Sequence, residues 1–241
     1  MRDIITEIWS TARRNKLRTT LTGFAVAWGI FMIIVLLGAG NGLINATMKQ
    51  HSDFLTNSME AYGGMTSKAY NGLSEGRYIR LNERDLTTTD SEFKATIDEV
   101  GACYYMSATV TNGENYMSIQ IAGVYPIHSK IVKQELLYGR FINEIDQREK
   151  RKVLVLNDNQ AKELEPKDYK TLIGKYVKVG DFAFKVVGIY KNPGDGESSA
   201  YSAYSTIKSI YGANTDDLGH IEFTFHGLTT EKANEDFENT Y

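Results

Sequence analysis

The residues in this chain that could do chemistry begin with a serine in a hydrolase-like pattern. Residues 72–76 read GLSEG, the G-x-S-x-G pattern of a nucleophile, which requires a strand before the serine and a helix immediately after it. The stretches on both sides of Ser74 have the pattern of strands, so Ser74 is expected in a loop. Gly174-Lys175 is not a phosphate-binding loop either, because the earlier glycine is absent and Tyr176 replaces Ser or Thr.

The histidines and the cysteine give no better candidate. Two of the four histidines, His220 and His226, flank one strand at an even spacing and could share a face. No acidic or cysteine ligand set accompanies them, so no metal site is expected. Cys103 is the only cysteine, which excludes an intrachain disulfide, and we interpret it as a small apolar strand residue. The sequence predicts no catalytic, cofactor-binding or metal-binding residues, and no enzymatic activity.

Composition restricts the class of protein. The 241 residues have a mean hydropathy of −0.33, too polar for a protein with many membrane spans. The formal net charge of −3 gives no reason to expect nucleic acid as the main partner. The charge is uneven, because a basic head that contains Arg13, Arg14, Lys16 and Arg18 precedes an acidic body.

A long uncharged run follows the basic head. No residue from Thr19 to Met48 carries a charge, and a helix needs about 20 mostly apolar residues to cross a bilayer. Leu21 to Leu43 supplies that length, which predicts a transmembrane helix. A signal peptide is the second interpretation, but its apolar core is shorter, and Leu37 occupies a position where a cleavage site needs a small residue. A buried soluble helix would rarely lack a polar face over this length.

The distribution of charge predicts the orientation. Basic residues are concentrated before the span and only Lys49 lies close behind it, so the N-terminus is expected in the cytoplasm. Within the lead-in, residues at helical spacing form one apolar face: Ile4, Ile5, Ile8, Trp9 and Ala12. Such a segment suits a helix lying along lipid headgroups or one packed on a partner protein, and the sequence does not separate the two.

The body has the pattern of a mixed α and β domain. Residues 82–100 are predicted to form a helix capped by Asn82, with Asp85 three residues later. Hairpins are predicted at Asn112-Gly113 and at Gly180-Asp181. The remaining predicted elements are a buried strand (RKVLVLN), a short helix (DNQAKELEP), a strand (HIEFTF) and a final helix capped by Thr229 or Thr230. Because that last helix has no strand after it, we expect the sequence to be a fragment.

Two stretches together resemble a known family. Residues 15–43, NKLRTTLTGFAVAWGIFMIIVLLGAGNGL, are similar to the first membrane helix of ABC-transporter permeases of the MacB/FtsX type. Residues 138–194, from YGRFINEIDQ to VVGIYKNPG, resemble the MacB-like periplasmic core domain, with its glycine-arginine-phenylalanine turn and later hairpin. Residues 122–142 resemble the segment before that turn. One departure is Ala203, where relatives tend to have proline.

The resemblance implies an α+β fold in which a transmembrane helix precedes a two-lobed extracytoplasmic domain. One lobe, the porter-like lobe, would be built of βαβ units, and the other would be an inserted mixed β-rich lobe. The implied divisions are a cytoplasmic amphipathic segment (1–18), a transmembrane helix (19–43) and a periplasmic core domain incomplete at its C-terminus (44–241). Three further membrane helices would follow.

The resemblance also implies a function. The chain would be the permease subunit of an ABC transporter in the inner membrane, relaying ATP-driven motion of a separate cytoplasmic ATPase to the periplasmic domain. Implied partners are that ATP-binding subunit, a second permease copy, and a periplasmic adaptor leading to an outer-membrane duct. The alternative is a single-span anchored binding or signalling module without transport.

Overall fold

The computed structural model describes residues 15–51, 57–192, 194, 199–212, 215–228 and 231–241, with backbone only for 44–51 and 231. The chain divides into two units, Met1–Asp53 and Phe54–Tyr241. The amphipathic lead-in before residue 15 and the predicted caps Thr229 and Thr230 lie outside the described residues.

The first unit contains one long helix, α1 (Lys16–His51). The expected span, residues 19–43, lies entirely within it. The five glycines in the span do not interrupt the helix, although glycine weakens helices in water. At 1.5 Å per residue its 36 residues extend about 54 Å, more than the roughly 30 Å of a bilayer's hydrocarbon core.

The second unit is a sheet with short helices. Its described elements, in chain order, are β1 (Ser58–Tyr62), β2 (Gly64–Met65), β3 (Tyr78–Ile79), α2 (Glu83–Glu92), β4 (Ile97–Asn112), β5 (Asn115–Val124), α3 (His128–Ile131), β6 (Leu136–Gly139), α4 (Glu144–Arg148), β7 (Val153–Asn157), α5 (Asp158–Leu164), a 3-10 turn (Tyr169–Leu172), β8 (Tyr176–Val179), β9 (Phe182–Tyr190), β10 (Ala200–Ala203), α6 (Tyr204–Tyr211), β11 (His220–Phe225) and α7 (Glu231–Thr240).

Nine of the described strands form one sheet in the order β1-β11-β4-β5-β10-β7-β9-β6, and β8 pairs with both β4 and β9. The pairs β5–β10 and β7–β9 are parallel and the others are antiparallel. The mixture of helices and strands behind an N-terminal apolar helix confirms the predicted fold class. The resemblance implied that the strands divide between two lobes. In the structure, nine of the described strands are hydrogen-bonded into one sheet.

Both predicted hairpins are present. In the first, Asn112 pairs with Asn115, so the two central residues are Gly113 and Glu114, one position later than predicted. Gly113 has a φ of +62°, a conformation that glycine adopts without strain. The second hairpin turns at Gly180-Asp181, as predicted, with Val179 opposite Phe182.

The predicted helix over residues 82–100 is shorter than expected. Its start is confirmed: the Asn82 side chain accepts from the Arg84 N–H, and Asp85 accepts from the Asn82 N–H at 2.8 Å. The prediction of its end was wrong, because the helix ends at Glu92 and Ile97 begins β4. Ile97 is buried and pairs with β11, so burial in the sheet prevails over helical continuation.

Buried apolar residues hold the second unit together. All five residues of β7 are buried, as the pattern RKVLVLN predicted. The final helix packs through Phe237, whose ring contacts Phe93 of the α2 C-cap and Phe223 of β11 at centroid distances of 5.8 and 6.1 Å. The hydroxyl of Tyr241 lies 2.8 Å from that of Thr89. The last residues therefore join the first helix of the domain to its sheet.

Gly139→Ala is expected to destabilise the domain by about 2 kcal/mol. Gly139 begins the glycine-arginine-phenylalanine turn, has a φ of +76°, and an added Cβ would meet the Val187 carbonyl oxygen at 2.2 Å. That oxygen accepts the Arg140 N–H at 2.9 Å, so it cannot move away freely. Gly174→Ala is the matched control, with a φ of +84° but open space around its Cβ. Urea denaturation should show the larger loss at Gly139, and equal losses would contradict the explanation.

Candidate functional site: an apolar helix and a buried polar cluster

The described part of α1 is apolar and unprotected. Lys16–Leu43 has a mean hydropathy of 2.3 over its most apolar 18 residues, and none of that window is buried. By length and composition this helix can cross a membrane. Side chains such as Phe31 and Leu36, which are 53% and 70% exposed, would face water unless lipid or another helix covers them.

Two features of α1 suit an apolar surrounding. The hydroxyl of Thr22 donates to the Arg18 carbonyl oxygen at 2.7 Å, so this polar group is satisfied within the helix. Gly38 and Gly42 are four residues apart, the spacing at which small residues let two membrane helices approach closely.

Ser74 has no catalytic setting. It lies in the exposed connection between β2 and β3, and no helix follows it. Its carbonyl oxygen accepts from Arg77 Nε at 3.2 Å. The surroundings agree with the prediction that Ser74 is a loop residue.

The histidines have a different setting from the one the sequence indicated. His220 starts β11, is buried, and shares a face with Glu222 two residues later. Antiparallel pairing places Glu60 of β1 directly opposite Glu222. One potential ligand atom from each of these three residues lies within 4.8 Å of the others. His226 is past the end of β11, where its exposed ring pairs with Asp98 at 2.7 Å.

His128 completes the cluster from α3. Its Nδ1 lies 2.8 Å from Oε2 of Glu222, and both side chains are buried. The other carboxylate oxygen, Glu222 Oε1, is buried without a hydrogen-bond partner among the described residues. We call Glu60, His128, His220 and Glu222 the polar cluster.

Aromatic rings and a thiol surround the cluster. The imidazole of His220 stacks on Tyr62 at a centroid distance of 4.6 Å and on Tyr105 at 5.8 Å. Burial lowers the pKa of His220. Cys103 pairs with His220 in register, and burial raises the pKa of its thiol, so Cys103 packs as the small, protonated strand residue that its sequence setting suggests.

The polar cluster was not predictable from the sequence, because its residues come from distant parts of the chain. The pair His220-x-Glu222 was visible, since alternate strand residues share a face. Glu60 lies far away in the sequence, in a stretch without a clear period, and only strand pairing brings it to Glu222.

A groove of about 840 Å³ opens beside α2 and α6. Two of its polar side chains are bound within the fold: Tyr204 donates to Glu83 at 3.1 Å, and Lys208 donates to the carbonyl oxygens of Thr215 and Asp217. These bonds give Tyr204 and Lys208 a structural role.

Comparisons with known proteins agree on one family. The sequence model of the family described as MacB-like periplasmic core domain matches residues 19–239. The macrolide export ATP-binding/permease protein MacB of Bdellovibrio bacteriovorus is 23% identical over 186 residues, covering 77% of this chain and 28% of that protein. The corresponding protein of Wolinella succinogenes is 26% identical over 185 residues, covering 76% and 27%. The chain thus spans less than a third of these relatives.

Solved structures share the fold. The periplasmic region of MacB from Actinobacillus actinomycetemcomitans superposes with a TM-score of 0.63 at 20% identity, covering 77% of this chain and 82% of that one. The extracellular domain of the noncanonic ABC-type transporter YknZ from Gram-positive bacteria gives 0.59 at 18% identity, covering 76% and 94%. With a family model that matches nearly the whole length, this chain belongs to the family of proteins with a MacB-like periplasmic core domain.

Proposed function

We propose that this chain acts as the permease subunit of an ABC transporter and relays ATP-driven motion to its extracytoplasmic domain, for export or for handling substrates of the cell envelope. The observation that carries the proposal is the single uninterrupted helix α1 (Lys16–His51), which precedes a domain with the MacB fold. A rigid helix longer than the hydrocarbon core can transmit displacement from one side of a membrane to the other.

Charge asymmetry supports the orientation. The basic residues before the span favour a cytoplasmic N-terminus, which puts the second unit on the periplasmic side of the inner membrane. The names of the relatives combine export, ATP binding and permease functions in one protein. In our proposal ATP is hydrolysed on a separate subunit and this chain has a non-enzymatic role.

Further partners follow from the same reasoning. A second permease copy is supported by the small-residue face at Gly38 and Gly42, because such faces let helices pack closely in lipid. A periplasmic adaptor that leads to an outer-membrane duct would meet the extracytoplasmic domain.

Purification from native membranes tests the partners. The intact protein, extracted in mild detergent, should retain a Walker-type ATPase polypeptide and a second copy of itself, as identified by mass spectrometry and cross-linking. Recovery without any ATPase, on the same chain or on another, would favour the alternative of a single-span anchored binding module.

A kink in α1 should uncouple ATP hydrolysis from the movement of the extracytoplasmic domain. A proline in a helix interior removes a hydrogen bond and kinks the helix, so Leu36→Pro should abolish an ATP-dependent movement of the extracytoplasmic domain while ATP is still hydrolysed. A spin label at an introduced cysteine, Ser74→Cys, reports that movement as a change in distance between the two copies; the native Cys103 is buried. Leu36→Met is the matched control and should keep the movement. An unchanged movement in Leu36→Pro would contradict the relay.

A further inference from the structure

The polar cluster contains an electrostatic conflict. Glu60 and Glu222 are direct partners across the antiparallel pair β1–β11, and like charges in such positions repel. Glu222 is fully buried. A buried carboxylate is tolerated where hydrogen bonds or a cation compensate its charge.

The neighbouring side chains satisfy only one of the two carboxylate oxygens of Glu222. Its Oε2 lies 2.8 Å from Nδ1 of His128, but the buried Oε1 has no hydrogen-bond partner in the part of the chain that the structure describes. An orphaned buried acceptor of this kind destabilises the folded state, and more so when it is charged. The hydroxyl of Tyr62 donates to Glu60 and not to Glu222.

The potential ligand atoms around Glu222 suit a metal ion. A nitrogen of His220 and oxygens of Glu60 and Glu222 form a group within 4.8 Å, and Glu60 is exposed on an edge strand, so its side chain can move to close the group. Imidazole and carboxylate donors together favour zinc and its transition-metal neighbours over magnesium or calcium.

We propose that Glu60, His220 and Glu222 bind a divalent transition-metal ion of the zinc type, which fastens strand β1 to β11. His128 is a positioning residue, because it orients the ligating carboxylate of Glu222 through Oε2, as partners of metal ligands commonly do. The site is independent of the proposed transport role. It joins the first strand of the domain, which follows α1 in the chain, to its neighbour β11 in the sheet.

Zinc binding to the full chain tests the site directly. The protein is purified in detergent without a histidine tag, stripped with a chelator, and titrated with Zn²⁺ by calorimetry and equilibrium dialysis. We expect about one ion per chain, because the cluster offers one set of ligands. An excess of Mg²⁺ should not displace it. Absence of zinc binding to the wild type would overturn the proposal.

Variants assign the ligands. His220→Ala should remove the binding, and His128→Gln should weaken it by about 10–100-fold. His226→Ala is the matched control: His226 is an exposed histidine paired with a carboxylate but outside the ligand group, so its loss should leave zinc affinity unchanged. Equal affinity of His220→Ala and the wild type, or loss of binding in His226→Ala, would refute the assignment.

Glu60→Gln keeps the test decisive if His220→Ala fails to fold. Glu60 is exposed and the replacement keeps its shape, so the variant should fold. Saturating Zn²⁺ should raise the Tm of the wild type and leave that of Glu60→Gln nearly unchanged, since a ligand stabilises only a protein that binds it. An equal rise in both proteins would show that zinc binds elsewhere.

Discussion

Replacing both Ile30 and Ile34 by arginine is expected to abolish stable membrane insertion of α1. Both residues lie near the middle of the apolar segment Lys16–Leu43 and are more than half exposed. An arginine at the centre of a membrane helix is unfavourable, and exchanging two isoleucines raises the insertion free energy by about 6–8 kcal/mol. The protein should then be released from membranes by alkaline carbonate, whereas the wild type should remain.

The matched control places the same two charges at the ends of the segment. In Leu17→Arg with Leu43→Arg, each arginine can extend its head toward the lipid headgroups, so insertion should be retained. Both variants have the same net charge and differ only in depth. If the central variant resists extraction as well as the end variant does, α1 does not span the bilayer.

Asp146→Ala is expected to have the largest effect on the stability of the second unit, a loss of about 3 kcal/mol. Asp146 is fully buried, and Arg140 donates to it twice, from NH1 at 2.5 Å and NH2 at 3.1 Å. Its carboxylate also accepts the Asn143 N–H at 3.1 Å and so forms half of the capping box of α4. Alanine would remove the carboxylate that both guanidinium nitrogens of Arg140 bind and, at the same time, the acceptor of the Asn143 N–H.

Urea denaturation of the full chain in detergent, followed by circular dichroism, measures that loss. Glu149→Ala is the control, because it removes the Arg151 ion pair at the other end of α4, where both side chains are about half exposed. Exposed pairs contribute about 0–1 kcal/mol, so the control should remain near the wild type. Similar midpoints for Asp146→Ala and the control would contradict the structural role of Asp146.

Asp146 shows what spacing alone could indicate. Asn143 and Asp146 stand three residues apart at the start of a short helix, which is a visible capping pattern, like Asn82 and Asp85 at the start of α2. The bidentate contact with Arg140 depends on the turn that begins at Gly139, whose conformation is fixed by its contact with β9. The capping contact between Asn143 and Asp146 was therefore predictable from the sequence, and the contact between Arg140 and Asp146 was not.

The sequence by itself determined the apolar helix, the start of α2, the two hairpins and the buried strand β7. Each depends on residues within a few positions of one another: a run without charge, an asparagine followed by a carboxylate, a glycine between alternating residues. The family resemblance was equally local, because it rested on ordered short stretches of the printed sequence.

The tertiary structure alone decided where α2 ends, that Ser58–Tyr62 is a strand, and that Glu60 faces Glu222. The end of α2 depends on the burial of Ile97 against β11, and β1 exists because it pairs with a strand about 160 residues later. The physical reason is that hydrogen-bond register between strands is set by packing across the whole sheet, which no local pattern encodes.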